Sequence, residues 1–174
     1  CPFCRRYALQ TMPQLKADYI DTGLVYYIFK DFPIATIHPL AYRLHEAAQC
    51  AGQSGGNDAY WQAHDLFFGQ VDAFQQNSEA AMDEAILTAF ARLDFPIDEI
   101  ATCLANGDFA ASVEESINEG RARGISGTPT FFINGVAFVG AQPYETFQAA
   151  LQQAQDGTLE ARPTPVPDNP VAVV

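Results

Sequence analysis

The first residues of the chain, Cys1 and Cys4, form a Cys-x-x-Cys pair that could carry thiol–disulfide chemistry. A helical pattern follows the pair, so Cys1 is predicted to lie at a helix N-terminus. Unpaired N–H groups and the positive end of the helix dipole stabilise a thiolate there, which lowers the pKa of a cysteine. Pro2 suits the first helical turn, where the N–H that proline lacks would be unpaired. Cys4, one turn later, could attack a mixed disulfide on Cys1 and resolve it.

A zinc site and an inert structural disulfide are the alternative interpretations of this pair. Zinc requires further ligands, but Cys50 and Cys103 are isolated, and the three histidines, His38, His45 and His64, form no second ligand pair. Redox activity without a metal is therefore favoured.

A second motif, Gly127-Thr128-Pro129-Thr130, stands just before an apolar run. Proline is tolerated at the start of a strand, so by itself this segment is equally well an ordinary turn or part of a site.

Composition limits the function classes. The 174 residues are 48% hydrophobic, enough for a packed core in one domain. A formal net charge of -12 argues against binding to nucleic acid or anionic lipid. No apolar run has the length of a membrane helix. Because the chain begins with cysteine rather than methionine, we expect its true N-terminus to be missing.

Hydrophobic periodicity predicts the elements that position these motifs. A helix from Cys4 to about Asp21 should be kinked at Pro13. Leu24–Phe29 has the composition of a strand buried on both faces. Helices are then predicted over Pro39–Ala51, Asp58–Phe74 and Ser78–Leu93, and from Pro96 and about Phe109, with breaks that include Gly52–Gly56.

The C-terminal part is predicted to form a β-hairpin followed by a helix. Thr130–Ile133 and Val136–Val139 flank Asn134-Gly135, a strong hairpin signal. A last helix should run from Tyr144 to about Gln155. The proline-rich tail, 158–174, is expected to be disordered.

The two motifs and the order of elements resemble the DsbA-like branch of the thioredoxin superfamily, from Cys1 to about Gln155. The matching segments are Cys-Pro-Phe-Cys-Arg-Arg, Gly-Ile-Ser-Gly-Thr-Pro-Thr-Phe-Phe-Ile-Asn-Gly and Val-Gly-Ala-Gln-Pro-Tyr. The resemblance implies an α/β, thioredoxin-like fold with an inserted α-helical subdomain. It assigns 1–33 and 125–157 to the thioredoxin-like domain and 34–124 to the insert. The strand that such folds place before the Cys-x-x-Cys motif is absent, so we expect an N-terminal extension in the native protein.

The resemblance also implies roles for residues of the site. Cys1, Cys4 and Pro129 are the expected catalytic residues, with a cis Thr128–Pro129 bond beside the sulfurs. The remaining site residues, Pro2, Phe3 and Thr128, are expected to bind substrate, the backbone of Thr128 pairing with an extended substrate strand.

The two remaining cysteines, Cys50 and Cys103, both lie in the helical insert. Some relatives pair cysteines there, so the resemblance favours a structural disulfide between them in an oxidising compartment. Two buried free thiols are the alternative.

Other conspicuous residues are assigned to structure. The aromatic residues Tyr60, Trp61, Phe67 and Phe68 have helical spacing and are predicted to lie in the core, as is His64 beside them. His38 and His45 are predicted to be surface or capping residues. Arg5 and Arg6 could stabilise a Cys1 thiolate or form an exposed pair, and the sequence favours neither.

Together these features predict an enzyme that donates its Cys1–Cys4 disulfide to unfolded or thiol-containing proteins, with no cofactor beyond that disulfide. The resemblance implies a periplasmic or other extracytoplasmic location, a membrane redox partner and, as one option, an anchor in the missing N-terminus. A reductase, isomerase or cytoplasmic enzyme of the same fold is one alternative, and a non-catalytic peptide-binding module is another.

Overall fold

The computed structural model describes residues 1–160, and its elements follow the predicted order except that no strand forms at Leu24–Phe29. Over these residues the chain forms seven α-helices and one antiparallel pair of strands. The helices are α1 (Pro2–Arg6), α2 (Met12–Leu15), α3 (Ala41–Gly69), α4 (Glu79–Ala91), α5 (Ile97–Asn106), α6 (Ala110–Ala122) and α7 (Tyr144–Gln155). The strands are β1 (Thr130–Ile133) and β2 (Val136–Val139). None of the described helices is both long and apolar enough to cross a bilayer.

The chain divides into two compact units. The first combines Cys1–Lys30 with the chain from Gly120 onward, and the second is Asp31–Glu119. The second unit carries 15 of the 21 acidic residues but only two of the nine lysines and arginines. The acidity therefore belongs to the helical unit, and the unit with the Cys-x-x-Cys pair is close to neutral.

The helix after Cys1 changes its hydrogen-bonding pattern along its length. A π-helical turn, Tyr7–Thr11, separates α1 from α2, and a second one, Lys16–Ile20, follows α2. In the first turn the N–H of Met12 donates to the carbonyl of Tyr7, five residues back. The wider turn lies directly before Pro13, which has no N–H to donate. The predicted irregularity at Pro13 thus takes the form of a change in helix type.

The prediction of a strand at Leu24–Phe29 is wrong for the described residues. No ladder includes this segment, and its residues alternate between partly buried and exposed, with Tyr26 90% exposed. A run of β-forming side chains becomes a strand only where another strand accepts its backbone hydrogen bonds. The segment is extended, and it is buried on one side rather than on both.

The predicted hairpin and final helix are confirmed. Thr130 pairs with Val139 and Ile133 with Val136, and the turn residues Asn134 and Gly135 both have positive φ. Positive φ at both positions is the type I′ geometry that Asn-Gly favours. Helix α7 runs over Tyr144–Gln155, as predicted.

An aromatic cluster holds the elements of the first unit together. The ring centroid of Phe131 on β1 lies 4.5 Å from that of Tyr7 and 4.9 Å from that of Phe147 on α7. Phe138 on β2 lies 5.5 Å from Phe147. Because Tyr7 follows Cys4 by three residues, this packing fixes the helix that carries Cys4 against the hairpin.

The second unit is a helical core crossed by a disulfide. Helices α3, α4 and α5 contribute the buried cluster, including Phe67, Phe90 and Ile100. The sulfurs of Cys50 on α3 and Cys103 on α5 are 2.01 Å apart, and their Cα atoms are 6.0 Å apart. Both cysteines belong to the buried cluster, so the disulfide lies inside this core rather than at its surface.

Two helix boundaries differ from those predicted. The break expected over Gly52–Gly56 is confined to Gly56, whose φ of 75° interrupts α3. The helix expected to reach Phe74 ends at Gly69, and a 3₁₀ turn covers Val71–Phe74.

Three other predictions have mixed outcomes. Phe67 is buried, but Trp61 is only partly buried. His45 is partly exposed, as expected of a residue near the surface, but its Nδ1 lies 2.7 Å from the buried carboxylate of Asp31. The tail expected to be disordered is 158–174, and its residues 161–174 lie outside the described residues.

Candidate active site

Cys1 lies at the N-cap of α1, and its sulfur faces the first turn of the helix. The backbone N–H of Cys4 donates to Cys1 Sγ at 3.3 Å. Pro2 occupies the first turn, where its lack of an N–H has no cost. An N–H directed at sulfur from a helix N-terminus stabilises a thiolate, and Cys1 is partly exposed, so substrates can reach it.

Cys4 has a different environment from Cys1, although the two are one turn apart. Its side chain is only 5% exposed, and both cysteines are free thiols in this structure. Burial raises the pKa of the Cys4 thiol above its ordinary value, against a smaller lowering by the Thr128 hydroxyl. The pair therefore combines an accessible sulfur with a shielded one that holds its proton.

The Thr128–Pro129 segment lies directly against both sulfurs, and the peptide bond between the two residues is cis. The Thr128 hydroxyl accepts a hydrogen bond from Cys4 Sγ at 3.0 Å and can donate to Cys1 Sγ at 3.4 Å. The Thr128 carbonyl oxygen lies 3.6 Å from Cys1 Sγ. One buried threonine thus contacts both cysteines, through its side chain and its backbone.

Neighbouring backbone holds this segment in place. The Pro129 carbonyl accepts a hydrogen bond from the N–H of Gly140 at 2.7 Å, just after β2. The Thr130 hydroxyl donates to the carbonyl of Gly127 at 3.0 Å. Hydrogen bonds therefore connect the residues on both sides of the Thr128–Pro129 bond to the hairpin.

The other residues of the first motif are exposed. Pro2 and Phe3 both reach solvent, with Phe3 42% exposed. Arg6 donates to the carbonyl of Ala141 rather than to a cysteine sulfur. Its guanidinium therefore supports the motif through neighbouring groups and does not pair directly with Cys1.

The geometry suits thiol–disulfide exchange. An accessible sulfur, a shielded sulfur one helical turn away and a polar contact to both are the parts that this reaction needs. Within residues 1–160, no cluster of three or more histidine, cysteine or acidic side chains is placed to hold a metal ion.

Comparison with known families assigns the chain. Residues 1–153 match the family model described as Thioredoxin. The chain belongs to the thioredoxin family. This match includes both cysteines of the motif and the Thr128–Pro129 segment.

Within the thioredoxin family the chain resembles proteins of two kinds. It is 31% identical over 170 residues to a Na⁺/H⁺ antiporter, NhaA 1, of Salinispora arenicola, covering 97% of this chain but 24% of the antiporter. It is 30% identical over 162 residues to a provisionally named protein-disulfide oxidoreductase of Rickettsia conorii, covering 92% of this chain and 55% of the relative. The chain thus spans a quarter to about half of the length of these relatives.

A solved structure gives the fold. The crystal structure of a double cysteine-to-alanine variant of alpha-DsbA1 from Wolbachia pipientis superposes with a TM-score of 0.75 and 22% identity, covering 91% of this chain and 82% of that one. The predicted fold class, a thioredoxin-like fold of the DsbA type, is confirmed.

The thioredoxin-family resemblance did not point to two contacts of the site. The resemblance implies a backbone role for Thr128, whereas its hydroxyl contacts both sulfurs. The contact between Arg6 and Phe3 was also missed, although their i,i+3 spacing on one helix face would have indicated it.

The Thr128 hydroxyl is expected to favour the reduced state of this thioredoxin-family site. Thr128→Val keeps the β-branched shape but removes the hydrogen bonds to both sulfurs, which stabilise the free thiols. We expect the equilibrium constant for oxidation of glutathione by the chain to fall about fivefold, corresponding to about 1 kcal/mol. Quantifying oxidised and reduced protein in glutathione buffers measures this constant.

Thr130→Val is the matched control, because Thr130 is also buried but donates to the carbonyl of Gly127 and to neither sulfur. Equal shifts in the two variants would contradict the assignment.

The raised pKa of Cys4 predicts a pH dependence of stability in the reduced chain. A raised thiol pKa stabilises the fold at a pH below the ordinary thiol pKa of about 8.5. That contribution is lost as the pH rises from there towards the higher pKa of Cys4. Urea unfolding of the reduced chain should show stability falling more steeply above about pH 8.5 than in a reduced Cys4→Ala variant. Parallel pH profiles would rule out this role for Cys4.

Proposed function

We propose that the chain is a thiol–disulfide oxidoreductase that introduces disulfides into extracytoplasmic proteins. The observation that carries this proposal is the unequal pair of sulfurs in contact with Thr128, with Cys1 partly exposed and Cys4 buried. The names of the Rickettsia conorii relative and of a disulfide bond formation protein D of Bacillus cereus, itself a provisional name, support the same reaction class.

The reaction consists of two exchanges. A substrate thiolate attacks Cys1 Sγ of the oxidised pair, the new sulfur–sulfur bond forms, and Cys4 leaves and takes up a proton. A second substrate thiolate attacks the substrate sulfur of the mixed disulfide and releases Cys1. Two electrons pass from the substrate to the pair.

The two sulfurs of the pair contribute differently to this sequence. A thiolate released in a buried position is costly, so Cys4 is drawn to its protonated form. The N–H of Cys4 stabilises the Cys1 thiolate that leaves in the second step. Stabilisation of the Cys1 thiolate lowers the free energy of the reduced pair, which makes the disulfide more oxidising.

Substrate binding is assigned to Pro2, Phe3 and Thr128. Pro2 and Phe3 are exposed beside Cys1, and the backbone of Thr128 lies next to the Cys1 sulfur. An extended substrate segment could pair with that backbone in the manner of an added strand. Cys1, Cys4 and Pro129 complete the catalytic set.

The cellular setting is part of the proposal. An oxidising protein must be reoxidised, so we assign the chain a membrane redox partner and a periplasmic or other extracytoplasmic location. The Cys50–Cys103 disulfide agrees with an oxidising compartment. We assign the chain no cofactor beyond its redox-active Cys1–Cys4 disulfide.

A reductase or isomerase with the same fold is the nearest alternative. The reduction potential of the Cys1–Cys4 pair separates the two, since disulfide donors lie near -120 mV and reductants near -270 mV, as order-of-magnitude reference points. Equilibration with glutathione followed by mass spectrometry measures the potential. We expect a value in the upper half of this range, and a value near the thioredoxin end would overturn the oxidase assignment.

A further inference from the structure

The guanidinium of Arg6 connects two parts of the active site. Its Nη2 donates to the carbonyl of Ala141 at 2.9 Å. Its central carbon lies 5.4 Å from the centroid of the Phe3 ring, within the range of a cation–π contact. Phe3 stands between the two cysteines of the motif, so Arg6 joins the motif to the backbone that follows β2.

The segment that receives this hydrogen bond is itself attached to the cis-proline. The N–H of Gly140 donates to the Pro129 carbonyl at 2.7 Å, and the Thr11 hydroxyl donates to the Gln142 carbonyl at 3.3 Å. Residues 140–142 are therefore held by the active-site helix on one side and by Pro129 on the other. Arg6 uses this held backbone as its anchor.

The Phe3 ring is not packed in the core, so core packing does not fix its orientation. It is 42% exposed, whereas Tyr7, one helical turn further, is buried between Phe131 and Phe147. An exposed aromatic side chain loses rotamer freedom when it is used for binding, unless a neighbour already restricts it. The planar guanidinium of Arg6, fixed at Ala141, restricts the ring.

We propose that Arg6 is a positioning residue that presents Phe3 as a specificity-determining contact for an apolar side chain next to the reactive cysteine of a substrate polypeptide. This inference rests on the proposed function. Phe3 is exposed and lies two residues after the partly exposed Cys1, so we assign it the contact with a residue that flanks the substrate sulfur. An apolar side chain gains most from covering an aromatic ring. The hydrogen bond to Ala141 and the contact with the Phe3 ring together hold the Arg6 guanidinium in place.

The test uses the oxidised 174-residue chain and three dithiol peptides. The peptides are identical except for leucine, glycine or aspartate directly before the attacking cysteine. The rate of peptide disulfide formation gives kcat/KM for each peptide, and exchange with glutathione reports on the cysteine pair without an apolar flanking side chain.

We expect the wild-type chain to prefer the leucine peptide over the glycine peptide. Arg6→Ala should reduce this preference, taken as the ratio of the two kcat/KM values, about threefold, the usual size of an exposed cation–π contact. Arg6→Lys should not restore the preference, because an ammonium cannot stack and donate as a planar guanidinium does. Phe3→Ala should also reduce the preference for the leucine peptide. The Phe3→Ala/Arg6→Ala double variant should lose no more of this preference than Phe3→Ala alone.

Arg123→Ala is the matched control. Arg123 lies 5.6 Å from the centroid of the Phe132 ring, so the variant removes the same charge and the same type of contact away from the motif. Its leucine preference should equal that of the wild-type chain. Thermal unfolding of every variant checks that it is folded.

Several outcomes would overturn the inference. One is a preference for the aspartate peptide that Arg6→Ala abolishes. Others are equal losses of the leucine preference in Arg6→Ala and Arg123→Ala, or additive losses in the Phe3→Ala/Arg6→Ala double variant. The last is a leucine preference restored in Arg6→Lys. Wild-type exchange with glutathione but without a leucine preference would also overturn it and would leave the proposed function standing. A wild-type chain that exchanges with neither peptides nor glutathione would overturn both.

Discussion

A Cys1→Ser variant is expected to oxidise a dithiol peptide at least about 10³-fold more slowly than the wild-type chain, since the sulfur that forms the mixed disulfide is gone. Cys1 is the partly exposed sulfur of the pair, and the N–H of Cys4 is directed at it. A serine hydroxyl at the same place accepts the hydrogen bond but cannot exchange disulfides. Chromatographic separation of reduced and oxidised peptide measures the rate.

Cys4→Ala is the matched variant, because it also has a single cysteine in the motif but retains the accessible one. After reaction of its Cys1 with an activated disulfide of the peptide, it should hold the peptide as a stable mixed disulfide, since no second thiol is placed to displace it. Mass spectrometry of the intact protein would show the added mass, and proteolysis would locate it on Cys1.

Two results would contradict this assignment of roles. Peptide oxidation by Cys1→Ser at the wild-type rate would show that another group carries the reaction. If Cys1→Ser instead lost the oxidation but retained its cellular task, a non-catalytic peptide-binding module would be the better description of the chain.

Removing the Cys50–Cys103 disulfide is expected to lower the free energy of unfolding by up to about 4 kcal/mol. The two cysteines are 53 residues apart in sequence, and a cross-link over a loop of that length restricts the unfolded chain strongly. Both residues are nearly fully buried, so alanine is the suitable replacement and serine would add an unpaired hydroxyl. Urea unfolding of the Cys50→Ala/Cys103→Ala variant measures the change.

Full reduction of the wild-type chain is the control for this prediction, because it removes the cross-link without changing a side chain outside the cysteines. Its stability should then approach that of the double variant. A double variant as stable as the oxidised wild-type chain would show that the disulfide contributes nothing to folding. Oxidation of glutathione by the Cys1–Cys4 pair should be unaffected by the double variant.

Local sequence determined much of the architecture. The hairpin was predictable to the residue because Asn134-Gly135 accommodates the positive φ values of its turn, and the flanking runs have the period of strands. The helix at Cys1 was predictable because a proline in the first turn and a helical pattern after Cys4 both depend on neighbours in sequence. The site motifs were recognisable for the same reason, since each is a short continuous segment.

Only the tertiary structure decided which groups meet. A run of β-forming residues at 24–29 predicted a strand, but a ladder requires a partner that local sequence does not supply. The Thr128 hydroxyl contacts the sulfurs of Cys1 and Cys4, which are more than 120 residues away in sequence. Arg6 donates to the carbonyl of Ala141 over a similar sequence separation. The unequal burial of Cys1 and Cys4, and hence the raised pKa of Cys4, likewise arises from packing against these distant segments. Local sequence determines the helices and the hairpin turn, whereas contacts between distant segments determine which strands pair and how the cysteines react.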